Sequence, residues 1–354
     1  MPNIFTPMQL GPLELPNRLV MAPLTRARAG TSHIPNTLIA EYYAQRAAAA
    51  LIITEATMVA ADGCAFVGES GLFNDACVDG WRLVTNAVHN KGGRIVVQLW
   101  HPGRAAHSSL NGGIQPISST EQPIRGSTIR TPEGEKPYET PRRLAREELR
   151  GIVDLFAKAA FRAQAAGFDG VQVHGAHGYL LDQFLRDGTN DRTDDYGGSL
   201  VNRARLLLET TDAVSQAIGA DRVSVRLSPL VGYNDITDSA PEALVEYLAR
   251  EFDSRRIAFL EVRHADHSMP SEQRLAKIAR QHFHGPLMLN GGFSKEQADA
   301  AIGSGSADLI AMGRAYVANP DLVARFASNA PLNEMDPNTL YSPGAAGYTD
   351  YPSL

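Results

Sequence analysis

The chain has 354 residues, 44% of them hydrophobic and 20% charged, with a formal net charge of −6. Such a composition buries a sizeable core and excludes disorder as the main state. The mild, well-mixed charge leaves no footprint for nucleic acid or an anionic membrane, and two cysteines outside any C-x-x-C pair, Cys64 and Cys77, argue against iron–sulfur clusters and structural zinc.

In chain order, Met1 to Phe5 shows no basic stretch followed by an apolar run, and no later segment approaches the roughly 18 apolar residues of a membrane span. A cytoplasmic protein with free thiols is expected. The turn residues Leu10-Gly11-Pro12-Leu13 predict a hairpin plugging one end of whatever follows. Strands are then predicted at Arg18 to Ala22, Ala50 to Glu55, Arg94 to Leu99, Gly170 to His174, Val223 to Leu227, Phe259 to Val262, Pro286 to Asn290 and Leu309 to Met312. Between them apolar residues return every three or four positions, as in Arg146 to Ala166, Leu200 to Ile218 and Pro241 to Asp253, which reads as helix. Alternation of this kind over eight strands predicts an α/β chain folded as a (β/α)8 TIM barrel, a single domain over residues 1–354. The segment His101 to Pro141, crowded with Gly, Ser, Pro, Thr and Asn, is expected as a long loop insertion after the third barrel strand, suited to act as a lid.

In such a barrel the C-terminal ends of the strands face the active site. Those exits carry Pro23-Leu24-Thr25-Arg26, Gln98 with Trp100-His101, His174, Arg226, Asn290-Gly291-Gly292 and Gly313-Arg314. The two glycine turns after the last strands suit a phosphate held on backbone N–H groups, against the alternative of ordinary loop connections. Gln98 offers a donor and an acceptor to the pyrimidine edge of a flavin, and Arg226 a permanent cation where reduced flavin gains charge; a strand arginine is as often a buried ion-pair partner, and a strand glutamine more often a satisfied interior amide. The stretch Gly303-Ser304-Gly305-Ser306-Ala307-Asp308 fails the dinucleotide pattern, so no Rossmann unit is supported.

The most specific feature is His174-Gly175-Ala176-His177-Gly178-Tyr179 at the exit of the fourth strand. Two capping or core histidines are one reading, and a zinc or iron site another, although no nearby carboxylate or cysteine clearly supplies a third ligand. The reading that suits them better is non-metal. Two imidazole N–H donors stabilise charge on one carbonyl or nitro oxygen, while Tyr179, with an ordinary pKa of about 10, donates a proton to a forming carbanion.

These residues, together with Met21 to Arg26, Glu41 to Ala47, Val97 to Arg104, Asn190 to Ser199, Arg226 to Pro229 and the tail Gly347 to Leu354, resemble the old yellow enzymes, FMN-dependent ene reductases built on this barrel. The likeness spans nearly the whole chain; the paired histidines and the tail look like the branch of bacterial N-ethylmaleimide and pentaerythritol tetranitrate reductases. It implies FMN as cofactor and NADPH or NADH as hydride donor. It also implies activated alkenes (enones, maleimides, nitroalkenes) as substrates, nitrate esters and nitroaromatics as further oxidants, and a ping-pong exchange through one pocket. Thr25 would tune the flavin, with Pro23, Leu24, Ala56, Gln98 and Arg226 around the ring and Gly291, Gly292, Gly313 and Arg314 at the phosphate. His174 and His177 would grip the substrate oxygen, Tyr179 would be the proton donor, no metal would take part, and Phe66, Trp100, Arg142 and Tyr351 would line the pocket mouth. Departures are Phe66 where some relatives carry tyrosine, histidine rather than asparagine at 177, threonine rather than cysteine at 25, and an unfamiliar stretch from His264 to Met269. Partners are small molecules only; the residues leave monomer and dimer open.

Overall fold

A computed structural model describes all 354 residues. Fourteen strands occur, and eight of them close a parallel barrel. β1 (Met8–Leu10) and β2 (Leu13–Leu15) form an antiparallel hairpin, Leu10 facing Leu13 across a tight turn at Gly11, whose φ is 53°. The barrel strands are β3 (Leu19–Met21), β4 (Leu51–Met58), β5 (Ile95–Trp100), β10 (Gly170–Gly175), β11 (Val223–Leu227), β12 (Phe259–Arg263), β13 (Leu287–Asn290) and β14 (Leu309–Met312). β14 pairs with β3 to close the ring. Every predicted strand is present. The second runs past the expected Glu55 to Met58 because a register shift between Ile53 and Ala56 lets it continue.

Helices α1 (Thr37–Gln45), α2 (Asp75–His89), α3 (Leu149–Ala165), α4 (Leu180–Leu185), α5 (Leu200–Ile218), α6 (Pro241–Arg255), α7 (Pro270–His282), α8 (Lys295–Gly303), α9 (Arg314–Ala318) and α10 (Leu322–Ser328) follow the strands. None is long and apolar enough to cross a membrane. The expected helix from Arg146 begins as a short 3-10 turn, with α3 proper starting at Leu149.

The floor of the barrel is apolar: Val20, Leu51, Val96, Phe259, Met288 and Leu309 pack together with Leu10 and Leu15 of the hairpin. The two hairpin leucines are completely or almost completely buried, each worth roughly 1.5–3 kcal/mol relative to exposure, so the hairpin is the plug its turn residues predict.

The long segment after β5 is a structured excursion. It holds β6 (Ile117–Ser118), paired in parallel with β9 (Arg142–Arg143), and the hairpin of β7 (Thr128–Thr131) with β8 (Gly134–Pro137). Buried Arg104 pins it, donating to the carbonyls of Gln122 at 3.0 Å, Asn234 at 3.1 Å and Asp235 at 2.7 Å. The tail returns to the start of the chain. Tyr348 stacks on Tyr42 of α1 at 3.9 Å, Arg26 donates to the carbonyls of Gly347 at 2.6 Å and Leu340 at 3.1 Å, and Arg28 donates to that of Thr339 at 2.8 Å.

Candidate active site

Above the apolar floor the inward positions turn polar. Gln98 donates through Nε2 to Oε1 of Gln172 at 2.8 Å, and Gln172 donates in turn to Glu261 at 2.8 Å. Glu261 accepts from Nε of Arg226 at 2.9 Å; Arg226 reaches Oδ1 of Asn290 at 3.4 Å, and the Asn290 amide donates to the Ala311 carbonyl at 2.7 Å. A chain of hydrogen bonds thus crosses the barrel, satisfying groups that would each cost about 1–3 kcal/mol if left unpaired. Arg226 is a buried ion-pair partner of Glu261 and also lines the cavity above. Gln172 and Glu261 were missed by motif reading. Their signal is the two-residue alternation of β10 and β12, which places Gln172 two positions before His174 on the same inward face.

A cavity of about 520 Å³ opens at the exits of β3, β11, β12, β13 and β14. It brings together Pro23, Leu24, Arg226, Gly291, Gly292, Gly313 and Arg314, all expected there, with His177 at one side and Arg263, which was not expected. At Gly292 the φ of 79° demands glycine, and a Cβ would meet nothing within 4 Å, so the turn faces open space. Gly313 caps the N-terminus of α9, where backbone N–H groups are free of intrahelical partners. Guanidiniums, glycine N–H groups and open volume fit the phosphate ester of a flavin mononucleotide. A wider groove of about 650 Å³ lies outside the barrel between α7 and α8, but it reaches neither His174 nor Tyr179 and gathers no comparable set of groups.

The histidine run stands at the other side of the β10 exit. His174 is 4% exposed, and its Nδ1 accepts from the Ala176 N–H at 3.3 Å, which leaves the neutral ring's proton on Nε2. Burial, and then the Arg226 cation, push its pKa down to about 3. His177 is lowered well below its usual range by burial, Arg226 and His174. Both rings are therefore neutral donors near pH 7. His177 has a left-handed φ of 56°, uncommon outside glycine, held by its N–H to Oγ of Ser228 at 2.7 Å and its carbonyl to the Asn234 amide at 2.8 Å. That conformation sets the two imidazoles 5.5 Å apart. Next to it Gly178, φ 71°, passes so close to the Tyr233 carbonyl that a Cβ would come within 2.6 Å.

Tyr179 meets the His174 ring edge-on at 5.2 Å and the Trp100 ring at 5.1 Å. Burial, and then the neighbouring Tyr233 and Tyr138, raise its pKa well above 10, so it stays a phenol. Phe66 lies 6.3 Å from Trp100 and stacks on Tyr341 at 6.1 Å; Tyr138, Tyr233 and Tyr341 were not anticipated. Ala56 packs in the same cluster as Trp100 and Tyr179, beside Gln98 in the β4–β5 pairing. Thr25 is half-buried in the loop after β3, a loop set by buried Glu55, whose Oε2 accepts from the N–H groups of Arg26 at 3.0 Å and Ala27 at 3.3 Å. Arg142 and Tyr351 have other partners. Arg142 clasps Glu148 with two bonds at 2.6 and 2.8 Å, and the Tyr351 hydroxyl accepts from the Asp336 N–H at 3.0 Å.

No three His, Cys, Asp or Glu side chains gather as a metal-holding group. The family model described as NADH:flavin oxidoreductase / NADH oxidase matches residues 3–333. A probable flavin mononucleotide-dependent alkene reductase of Leishmania infantum is 45% identical, over 98% of this chain and 96% of its own. 12-Oxophytodienoate reductase 7 of Oryza sativa subsp. japonica is 45% identical over 99% and 94%. Among solved structures, morphinone reductase in complex with tetrahydroNAD superposes with a TM-score of 0.96 at 44% identity, covering 100% of this chain and 98% of that one. The old yellow enzyme homologue from Zymomonas mobilis superposes with a TM-score of 0.97 at 43% identity, covering 100% of both chains. With the barrel, the cation-lined cavity and the histidine–tyrosine exit in place, the chain belongs to the NADH:flavin oxidoreductase / NADH oxidase family, as its old yellow enzyme motifs imply.

Proposed function

We propose that this chain is an FMN-dependent ene reductase that takes hydride from NADPH or NADH and reduces the C=C bond of enones, maleimides and nitroalkenes, with nitrate esters and nitroaromatics as further oxidants. The observation that carries this reading is the convergence of two neutral imidazoles and one phenol beside a cavity whose donors suit a phosphate ester. The activities for which the Leishmania and rice relatives are named, and the nicotinamide analogue bound by morphinone reductase, support it.

The phosphate is assigned to Gly291, Gly292, Gly313 and Arg314, and the ring to the backbones of Pro23 and Leu24, to Thr25, Ala56, Gln98 and Arg226. Bound FMN supplies the hydride exchange between nicotinamide and the β-carbon of the acceptor. The rest falls to side chains of the chain. His174 and His177 donate N–H bonds to the carbonyl or nitro oxygen of the acceptor, where negative charge builds during hydride arrival. Because both rings are neutral, they stabilise that charge without giving up a proton. Tyr179 gives its proton to the α-carbon and regains one from solvent. Trp100 and Phe66 wall the pocket on the Tyr179 side and keep water from the developing carbanion, and Arg142 and Tyr351 are assigned to the rim. Nicotinamide and acceptor occupy one pocket in turn. The reaction is placed in the cytoplasm, in one barrel domain over residues 1–354.

The decisive experiment is anaerobic. The purified protein is bleached with NADPH and then mixed with a panel of enones, maleimides, nitroalkenes and nitrate esters. Return of the oxidised flavin spectrum is expected, with saturated product from the alkenes and nitrite from the nitrate esters; a protein that bleaches but is reoxidised by none of them is a flavin carrier, and a colourless protein that requires a divalent ion is a metal enzyme.

A further inference from the structure

Arg263 belongs to none of the motifs that mark this chain. It closes β12, whose inward positions are Phe259 in the apolar floor, Glu261 in the polar chain and, one step further along the same face, Arg263. In the β12–β13 pairing it stands opposite Asn290, immediately before the Gly291-Gly292 turn. It lines the same cavity as Arg226 and Arg314.

A charge count of that cavity is uneven. Three guanidiniums line it and no carboxylate does. Glu261, at 2.9 Å, compensates Arg226. Arg314 hydrogen-bonds to nothing in the protein, and Arg263 reaches only the carbonyl of His264. The neighbouring carboxylate of Glu272 is already engaged by Nδ1 of His264 at 2.6 Å and the Ala265 N–H at 2.8 Å. Neither Arg263 nor Arg314 has a carboxylate partner within ion-pair distance at this mouth. Burial and then the Arg226 cation lower the pKa of Arg263, the nearby Glu272 and Glu261 carboxylates oppose them in part, and the Arg314 cation lowers it further, so an anion placed between Arg263 and Arg314 relieves a repulsion already built into the site.

Resting on the assignment of FMN to this cavity, we propose that Arg263 is the second guanidinium of its phosphate site, and that Arg263 and Arg314 together select the flavin as its monophosphate dianion over dephosphorylated riboflavin. A phosphate monoester loses its second proton near pH 6, so at neutral pH it brings close to two negative charges to two cations that have no ion-pair partner. Arg314 approaches from the start of α9 and Arg263 from inside the barrel wall, so the ester is held from two elements. Glycine N–H groups alone bind the ester oxygens but do not neutralise them.

The test uses flavin-stripped full-length protein titrated with FMN and with riboflavin, followed by quenching of flavin fluorescence, for the wild type, Arg263→Met and Arg263→Lys. Hydrogen bonds to charged groups are worth about 1.5–3 kcal/mol, or roughly 10–100-fold in affinity. Arg263→Met is expected to weaken FMN by about that factor while leaving riboflavin within about two-fold, and Arg263→Lys to fall between, with a shallower salt dependence than wild type in the methionine variant. Equal weakening of both flavins, or an unchanged FMN affinity, overturns the proposal. Where the methionine variant does not fold, the FMN-to-riboflavin ratio of Arg263→Lys decides by the same criterion. A wild type that binds neither flavin defeats the cofactor assignment itself, an outcome distinct from either.

Discussion

Tyr179 is held between the edges of the His174 and Trp100 rings and is almost fully buried. This packing fixes where its hydroxyl points and keeps it protonated, the two properties a carbon acid's proton donor requires. His174 contributes differently, through a proton left on Nε2 by the Ala176 N–H that occupies Nδ1. The roles proposed for the two residues separate in kinetics. Tyr179→Phe is expected to slow reoxidation by an enone about 10²-fold or more, the usual contribution of a positioned acid, while reduction by NADPH stays within a few-fold of wild type. Rapid-mixing measurement of each half-reaction checks this, and an equal loss in both would remove Tyr179 from the proton-donor role.

Among the elements, β10 and β12 carry more than their motifs suggest. Removing one partner of a buried ion pair typically costs about 3–5 kcal/mol, and Glu261 serves both Arg226 and Gln172. Glu261→Ala is therefore expected to lower the unfolding free energy by that order, with a smaller loss for Glu261→Gln, which still accepts a hydrogen bond. Denaturant midpoints at constant slope measure it; a loss below about 1 kcal/mol would mean that water replaces the carboxylate. The barrel strands were legible because strands covered on both faces are short, unbroken apolar runs between helical periods. The hairpin plug was legible from its turn residues. Gln172, Glu261 and Arg263 were not, since which polar residue of one strand meets which of another depends on register between segments far apart in the chain. Nor was Glu55, whose role of holding the Thr25 loop depends on the bulge beside it. Arg142 shows the converse, because its clasp of Glu148 is a short-range pairing that family likeness does not reveal.

For the whole molecule, buried titratable groups give stability two opposing dependences on pH. His174 and His101, with pKa values pushed down to about 3 and about 4, are neutral in the fold, whereas the unfolded chain takes up their protons near 6.5. Their contribution is fully present above about pH 6.5 and is lost as pH falls toward 3. Glu69 runs the other way. Burial raises its pKa to about 8 from an ordinary 4.5, so the stability tied to its neutral form is present below 4.5 and lost as pH rises to about 8. Thermal melts of wild type and Glu69→Gln across pH 5 to 8 test this: the glutamine variant is expected to gain on wild type steadily as pH rises. A constant offset between the two curves would show that Glu69 is ionised in the native protein.

The return of the tail to the first loop sets an order of events during synthesis. Arg26 and Arg28 find carbonyl acceptors 321 and 311 residues downstream. At a ribosomal pace of about 5–20 residues per second, those acceptors emerge tens of seconds after the arginines do. Through that interval the guanidiniums of the Thr25 loop lack these acceptors, Arg26 having only the nearby Tyr42 hydroxyl, and β3 lacks its β14 neighbour. The first barrel strand to be made and the loop that follows it are then among the last parts of the nascent chain to settle, so the cavity that Pro23 and Leu24 help to line is complete only at the end of translation.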